Sequence, residues 1–124
     1  MHHLLLDLLE CDAHKLADAA SLCSFLNELP DRLGMQKAGP PSLYFIDAVS
    51  DPDDAGHSGL ILASNHVSLH AWSPYRMINI DIFSRNAFDE AEALAFARAV
   101  FDPGDIEVHS VQRATRSQRQ LRCG

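Results

Sequence analysis

The sequence predicts an α+β two-layer sandwich, a largely antiparallel sheet with two helices on one face. Three observations lead there. In segments 13–29 and 89–101 apolar residues recur at three- and four-residue spacing, the pattern of a helix buried along one side. Elsewhere they alternate, or gather in short runs bounded by glycine, proline and aspartate, as strands do. The connections among the middle runs are too short for a parallel crossover, which takes about a dozen residues, so these strands pair antiparallel.

Residues 2–10 read as the first strand, although their leucine richness also suits a helix. Asp12 can cap a helix over 13–29, with Leu16, Ala19, Ala20, Cys23, Leu26 and Leu29 as its buried stripe and Pro30 and Gly34 as its end. After a turn at Gly39-Pro40-Pro41 a second strand covers 42–49, and "SDPDDAGHSG" is a loop by composition. Three short strands follow over 59–64, 67–72 and 76–84. In the last, "MINIDIF" alternates, with Ile78, Ile80 and Ile82 on one face and Met77, Asn79, Asp81 and Phe83 on the other. A second helix over 89–101, its turns marked by Phe88 or Ala91, by Leu94 and Ala95, and by Arg98 and Ala99, stops at Pro103-Gly104. "IEVHSV" is the last strand. One domain thus spans 1–114, and 115–124 forms a basic tail, read as mobile; Arg113, Arg116, Arg119 and Arg122 repeat every three residues, a solvated segment by first reading and a phosphate or acidic-partner site by second.

Bulk properties exclude several functions. With 124 residues the chain holds one ordinary domain. Its net charge of −7 argues against bulk attraction to nucleic acid. The three cysteines, Cys11, Cys23 and Cys123, are odd in number and lack a CxxC pair, which fits a reducing compartment rather than a disulfide framework. No apolar run approaches the roughly 18 residues of a membrane span. The start lacks the features of a signal peptide. The expectation is a soluble, cytoplasmic protein with neither a nucleic-acid nor a membrane partner.

The candidate chemistry sits in "LILASNHVSLHAW", residues 60–72. His66 and His70 have the spacing of a helical zinc pair, but on a strand four residues span roughly 13 Å, so the two cannot share one metal. No metal is expected. His66, Ser68, His70 and Trp72 alternate against Val67, Leu69 and Ala71, so the polar set shares the sheet face that meets water or a second subunit. His2 and His3 point to opposite faces, and His57 lies in the acidic loop, where carboxylates favour its charged form. Cys11 and Cys23 read as core residues.

Several segments, "HHLLLDLLECD", "LPDRLGM", "DPDDAGHSG", "LILASNHVSLHAW", "INIDIFSRNAFD" and "IEVHSVQRA", occur in the order found in the bacterial and archaeal S-adenosylmethionine decarboxylases, which the chain resembles over roughly residues 3–114. The resemblance implies a small α/β sandwich that pairs into homodimers. It also implies a precursor that cuts itself inside a Glu-Ser-His triplet and turns the serine into a pyruvoyl group. That group forms a Schiff base with S-adenosylmethionine during a decarboxylation that feeds spermidine synthesis.

Against that pattern the chain departs at its centre. Glu-Ser-His becomes Ser64-Asn65-His66, His70 is kept, and the proton-donor cysteine becomes Arg85. Asn65 has no hydroxyl to attack the preceding carbonyl, and a guanidinium is no proton donor of useful pKa. The catalytic set to examine is therefore Ser64, Asn65, His66, His70 and Arg85, a degenerate form of the family site. Ser58, Trp72 and Asp81 are candidate ligand-binding residues. The expectation is a decarboxylase-like homodimer that has lost pyruvoyl catalysis and carries no external cofactor. It would bind a nucleoside or polyamine-like metabolite, or regulate an active decarboxylase paralogue. The alternative is an active pyruvoyl-dependent enzyme self-cleaved at Ser64, and a third reading joins His66, His70 and Asp81 in new chemistry.

Overall fold

The structure, a computed structural model, describes residues 1–47 and 55–116. Asp51, Asp53 and Asp54, the end of the expected second strand and most of the basic tail lie outside the described residues. The elements run β1 (His2–Leu9), α1 (Ala13–Ala17), α2 (Ala19–Arg32), β2 (Ser42–Ile46), β3 (Gly56–Leu62), β4 (Asn65–Trp72), β5 (Met77–Ser84), α3 (Glu90–Phe101) and β6 (Asp105–Gln112). The strands form one six-stranded sheet in the order β2-β3-β4-β5-β1-β6, each antiparallel to its neighbours. This is the α+β sandwich that the sequence predicts.

Alternation fixes which face is covered. In β1, His2, Leu4, Leu6 and Leu8 are buried while His3, Leu5, Asp7 and Leu9 are half-buried, which settles this leucine-rich segment as a strand. In β5, Ile78, Ile80 and Ile82 are buried in the same way, and in β4 Val67, Leu69 and Ala71. Onto this apolar face α2 lays Leu22, Phe25, Leu26 and Leu29, and α3 lays Ala93, Phe96, Ala97 and Phe101. Phe25 stacks on Phe96 at 5.2 Å between ring centroids and meets Phe101 edge-on at 5.0 Å.

Both helices correct the expected stripes. The segment 13–29 is two helices, because the Asp18 carboxylate accepts the N–H groups of Ala20 and Ser21 and starts a new helix there. The restart changes the phase, so Ala19 and Ala20 are exposed and Cys23 is only half-buried, while Leu22 and Phe25 go inside. Pro30 does not stop α2. It sits in the last turn, where a missing N–H removes a single bond, and its carbonyl accepts from Leu33 and Met35; Gly34, at φ +69°, ends the run. In α3, Ala91 and Ala95 face solvent and Leu94 is half-buried.

Two glycines mark close approaches. A Cβ on Gly59 would lie 2.6 Å from a methyl of Leu26, so this is where α2 settles onto β3. A Cβ on Gly56 would lie 2.1 Å from the Ala71 carbonyl oxygen, inside the β3–β4 pairing. β3 therefore begins at Gly56, three residues before the expected strand. This places His57 in a strand, buried with its ring 5.2 Å from Phe45, and not in the acidic loop.

Candidate functional site

The helix-free face is a grid whose rows are set by strand register. One row runs Leu62, His66, Phe83, His3 and Val111 across β3, β4, β5, β1 and β6. The next runs Leu60, Ser68, Asp81, Leu5 and His109, and the third Ser58, His70, Asn79, Asp7 and Glu107. The predicted site residues thus share an end or a face of the sheet without forming one cluster. Asn65, His66 and Arg85 gather at one end with Ser64. Ser58, His70 and Trp72 lie farther along, five residues and roughly 17 Å of strand from Asn65 to His70. Asp81 lies in the row between. His66, His70 and Asp81 do face the same side but in three successive rows, which separates His66 from His70.

At the first end the backbone turns sharply. Ser64 occupies the tip of the β3–β4 hairpin at φ +39°, an uncommon conformation for a non-glycine residue. Its Oγ accepts the Gln36 N–H at 2.9 Å, and its carbonyl accepts the hydroxyl of buried Ser84 at 2.7 Å. The Asn65 side-chain oxygen accepts the Arg85 N–H at 2.7 Å. Residues 64 and 65 are therefore tied to the loop before β2 and to the end of β5. Expected as strand, Ala63 makes only an isolated bridge to Lys37 and Ser64 bends the chain, and β4 begins at Asn65, two residues early.

His66 lies within 5.6 Å of the Phe83 ring, measured between centroids. Burial lowers its pKa, the charges of His3 and Arg113 push the same way, and Asp81 opposes them. Phe83 also meets His3 at 5.8 Å and carries the Arg113 guanidinium 4.8 Å over its ring.

In the third row a hydrogen bond of 2.9 Å joins Ser58 Oγ to His70 Nδ1. Both residues line two neighbouring cavities. One, of about 400 Å³, is bounded by Ile46, Gly56, His57, Ala71 and Trp72, and the other, of about 430 Å³, by Ser42, Tyr44, Gly59, Leu60 and Ser68. Beside them Trp72 Nε1–H donates to Asn79 at 2.8 Å, and the Asn79 amide donates to Asp7 at 2.7 Å. Asp7, Glu107 and His109 bring one donor atom each within 4.8 Å of one another, the group among the described residues able to hold a metal ion. Glu107 and His109 are exposed.

Asn79 and Phe83 were visible in the alternation of "MINIDIF". Asp7 and Ser84 give no signal in the sequence, and His3 and Arg113 are visible there only as a strand histidine and part of a basic segment, because their importance comes from cross-strand neighbours that are distant in sequence. Cys11 is fully buried; burial raises its pKa, against the pull of Arg76 and Lys15, which suits a core thiol rather than a nucleophile.

The fold and this grid define an adenosylmethionine decarboxylase-like sandwich. A model of the S-adenosylmethionine decarboxylase family matches residues 2–114, and the chain belongs to that family. The crystal structure of the adenosylmethionine decarboxylase from Aquifex aeolicus VF5 superimposes with a TM-score of 0.75 at 20% identity, covering 90% of this chain and 88% of that one. No curated protein matches the sequence. The family is pyruvoyl-dependent, with the group made from the chain itself. Asn65 has no hydroxyl, and its amide oxygen accepts the Arg85 N–H. Among the described residues no helix is long and apolar enough to cross a membrane.

Proposed function

We propose that this chain is an unprocessed member of the S-adenosylmethionine decarboxylase family, one that works by binding rather than by pyruvoyl catalysis. The observation that carries the reading is Asn65. In Ser64-Asn65-His66 it stands where the family's self-processing serine is expected, and its side chain is held by the Arg85 N–H. Arg85, placed where the family's proton-donor cysteine is expected, brings a permanent charge. A self-cut at Ser64 is disfavoured by geometry, because that hydroxyl already bridges the Gln36 N–H and carbonyl.

The chain acts as a homodimer or as the partner of an active paralogue, and its open face takes a nucleoside-like metabolite at the cavities around Ser58 and His70. What supports the pairing is the apolar rim of that face, where Tyr44, Ile46, Leu60 and Leu62 are exposed. Ser58, Trp72 and Asp81 are the ligand-facing residues of this reading.

The test is the denatured intact mass of freshly purified protein. A single species at full-chain mass is expected. Two fragments, the C-terminal one starting with a pyruvoyl group in place of Ser64, would overturn the reading in favour of a working decarboxylase.

A further inference from the structure

The first row of the open face gathers one fixed positive charge and two imidazoles in a chain whose net charge is −7. The Arg113 guanidinium rests over Phe83, and its carbonyl accepts the ammonium of Met1 at 2.8 Å. His3 and His66 flank the same ring from β1 and β4. Arg85 follows Ser84 at this end of β5. Neither arginine has an ion-pair partner among the described residues. His3 Nε2 is shut off from solvent and has no hydrogen-bond partner, an expensive condition for a polar atom.

The acids of the neighbourhood do not answer this charge. Asp81 lies one row away, across from Ser68 and Leu5. Glu90 is on the helix side, engaged by His2 at 2.9 Å and by the Ser110 hydroxyl. An anion here would meet the fixed charge of Arg113 and would favour the protonated form of His66.

We propose that this row is an oxyanion site, in which Arg113, His3 and His66 hold the phosphate or carboxylate of a small molecule and Arg85 stands at its rim. The inference rests on the chain being a binding homologue and names the chemistry that its ligand must carry. Arg113 supplies the fixed charge and a planar donor fork. His3 flanks the site from β1, and His66 gains a proton when the anion arrives. The groups that face His66 are His3 from β1, Asp81 and Phe83 from β5, and Arg113 after β6, with apolar Leu62 on the β3 side. Of these only Asp81 opposes the anion, so binding tightens as pH falls through the His66 titration.

The test follows the His3 and His66 ring signals by NMR in the intact chain. Sulfate serves as a probe of fixed charge, methyl phosphate and acetate are compared at neutral pH, and chloride at matched ionic strength is the control. Saturable shifts with sulfate are expected, together with a loss of about tenfold or more in affinity in Arg113→Gln. His3→Gln should weaken binding independently, and Arg98→Gln, on α3, should leave it unchanged. The stronger of methyl phosphate and acetate identifies the ligand's anionic group. A response no different from that of chloride, or one unaffected by both Arg113→Gln and His3→Gln in folded protein, sinks the proposal. Intact mass on the same sample separates the two readings. Cleaved chain with saturable binding removes the unprocessed reading and keeps the site, whereas whole chain without saturable binding removes the site alone.

Discussion

At the scale of single residues, glycine contacts and one carboxylate give the sharpest expectations. Gly56→Ala forces a methyl against the Ala71 carbonyl oxygen and should break the β3–β4 pairing, whereas Gly39→Ala meets nothing within 4 Å. Urea denaturation should show a large loss of midpoint for the first and almost none for the second. Glu90 has its pKa lowered, first by the Ser110 hydroxyl and then by His2. A depressed acid contributes stability above its ordinary range, near 4.5, and that contribution is lost as pH falls through the folded value. Glu90→Gln should therefore lower the urea midpoint at pH 7 and converge on the parent protein under acid conditions. Equal differences at both pH values would contradict this linkage. Much of the residue-level pattern was legible: Val67, Leu69 and Ala71 were assigned to one face by alternation alone. Ser84 was not, because its role is to donate to a carbonyl 20 residues away. His57 was misplaced because the acidic composition before it reads as loop, while the β3–β4 register that makes it strand is set by residues well downstream.

At the scale of elements, hairpin pairing and helix caps decide the boundaries that periodicity leaves loose. The seam between α1 and α2 is set by one carboxylate. Asp18→Ala should free the Ala20 and Ser21 N–H groups and lower the melting temperature, as followed by circular dichroism. In α3, Asp89 accepts the Glu92 N–H, and Asp89→Ala should cost about 1 kcal/mol in urea titrations. The sandwich class, the order of strands and helices and the α3 segment could all be read from spacing. The break at Asp18 could not, since an aspartate inside a helical pattern competes as a cap only when the preceding turn is free to end. That restart moved the buried stripe of α2 onto Leu22 and Phe25, which pack against α3 and the sheet.

For the whole molecule, the reading as a paired protein places a second copy against the apolar rim of the open face. Tyr44→Asp with Leu60→Asp, both on exposed positions of that face, should convert a dimer to a folded monomer in sedimentation experiments; a parent protein that sediments as a monomer would refute the pairing. The order of the strands also governs how the chain comes to its final form. β1 sits between β5 and β6, so residues 2–9 find both neighbours only in 77–84 and 105–112, far along the chain. Without them Leu4, Leu6 and Leu8 have no sheet to join, and the helices have only β2–β5 to cover. Sheets closed by such distant pairings fold slowly, on the order of milliseconds to seconds, because chain closure precedes any reward from contact. Formation of this end of the sheet therefore depends on the two pairings most distant in sequence, β1 with β5 and β1 with β6.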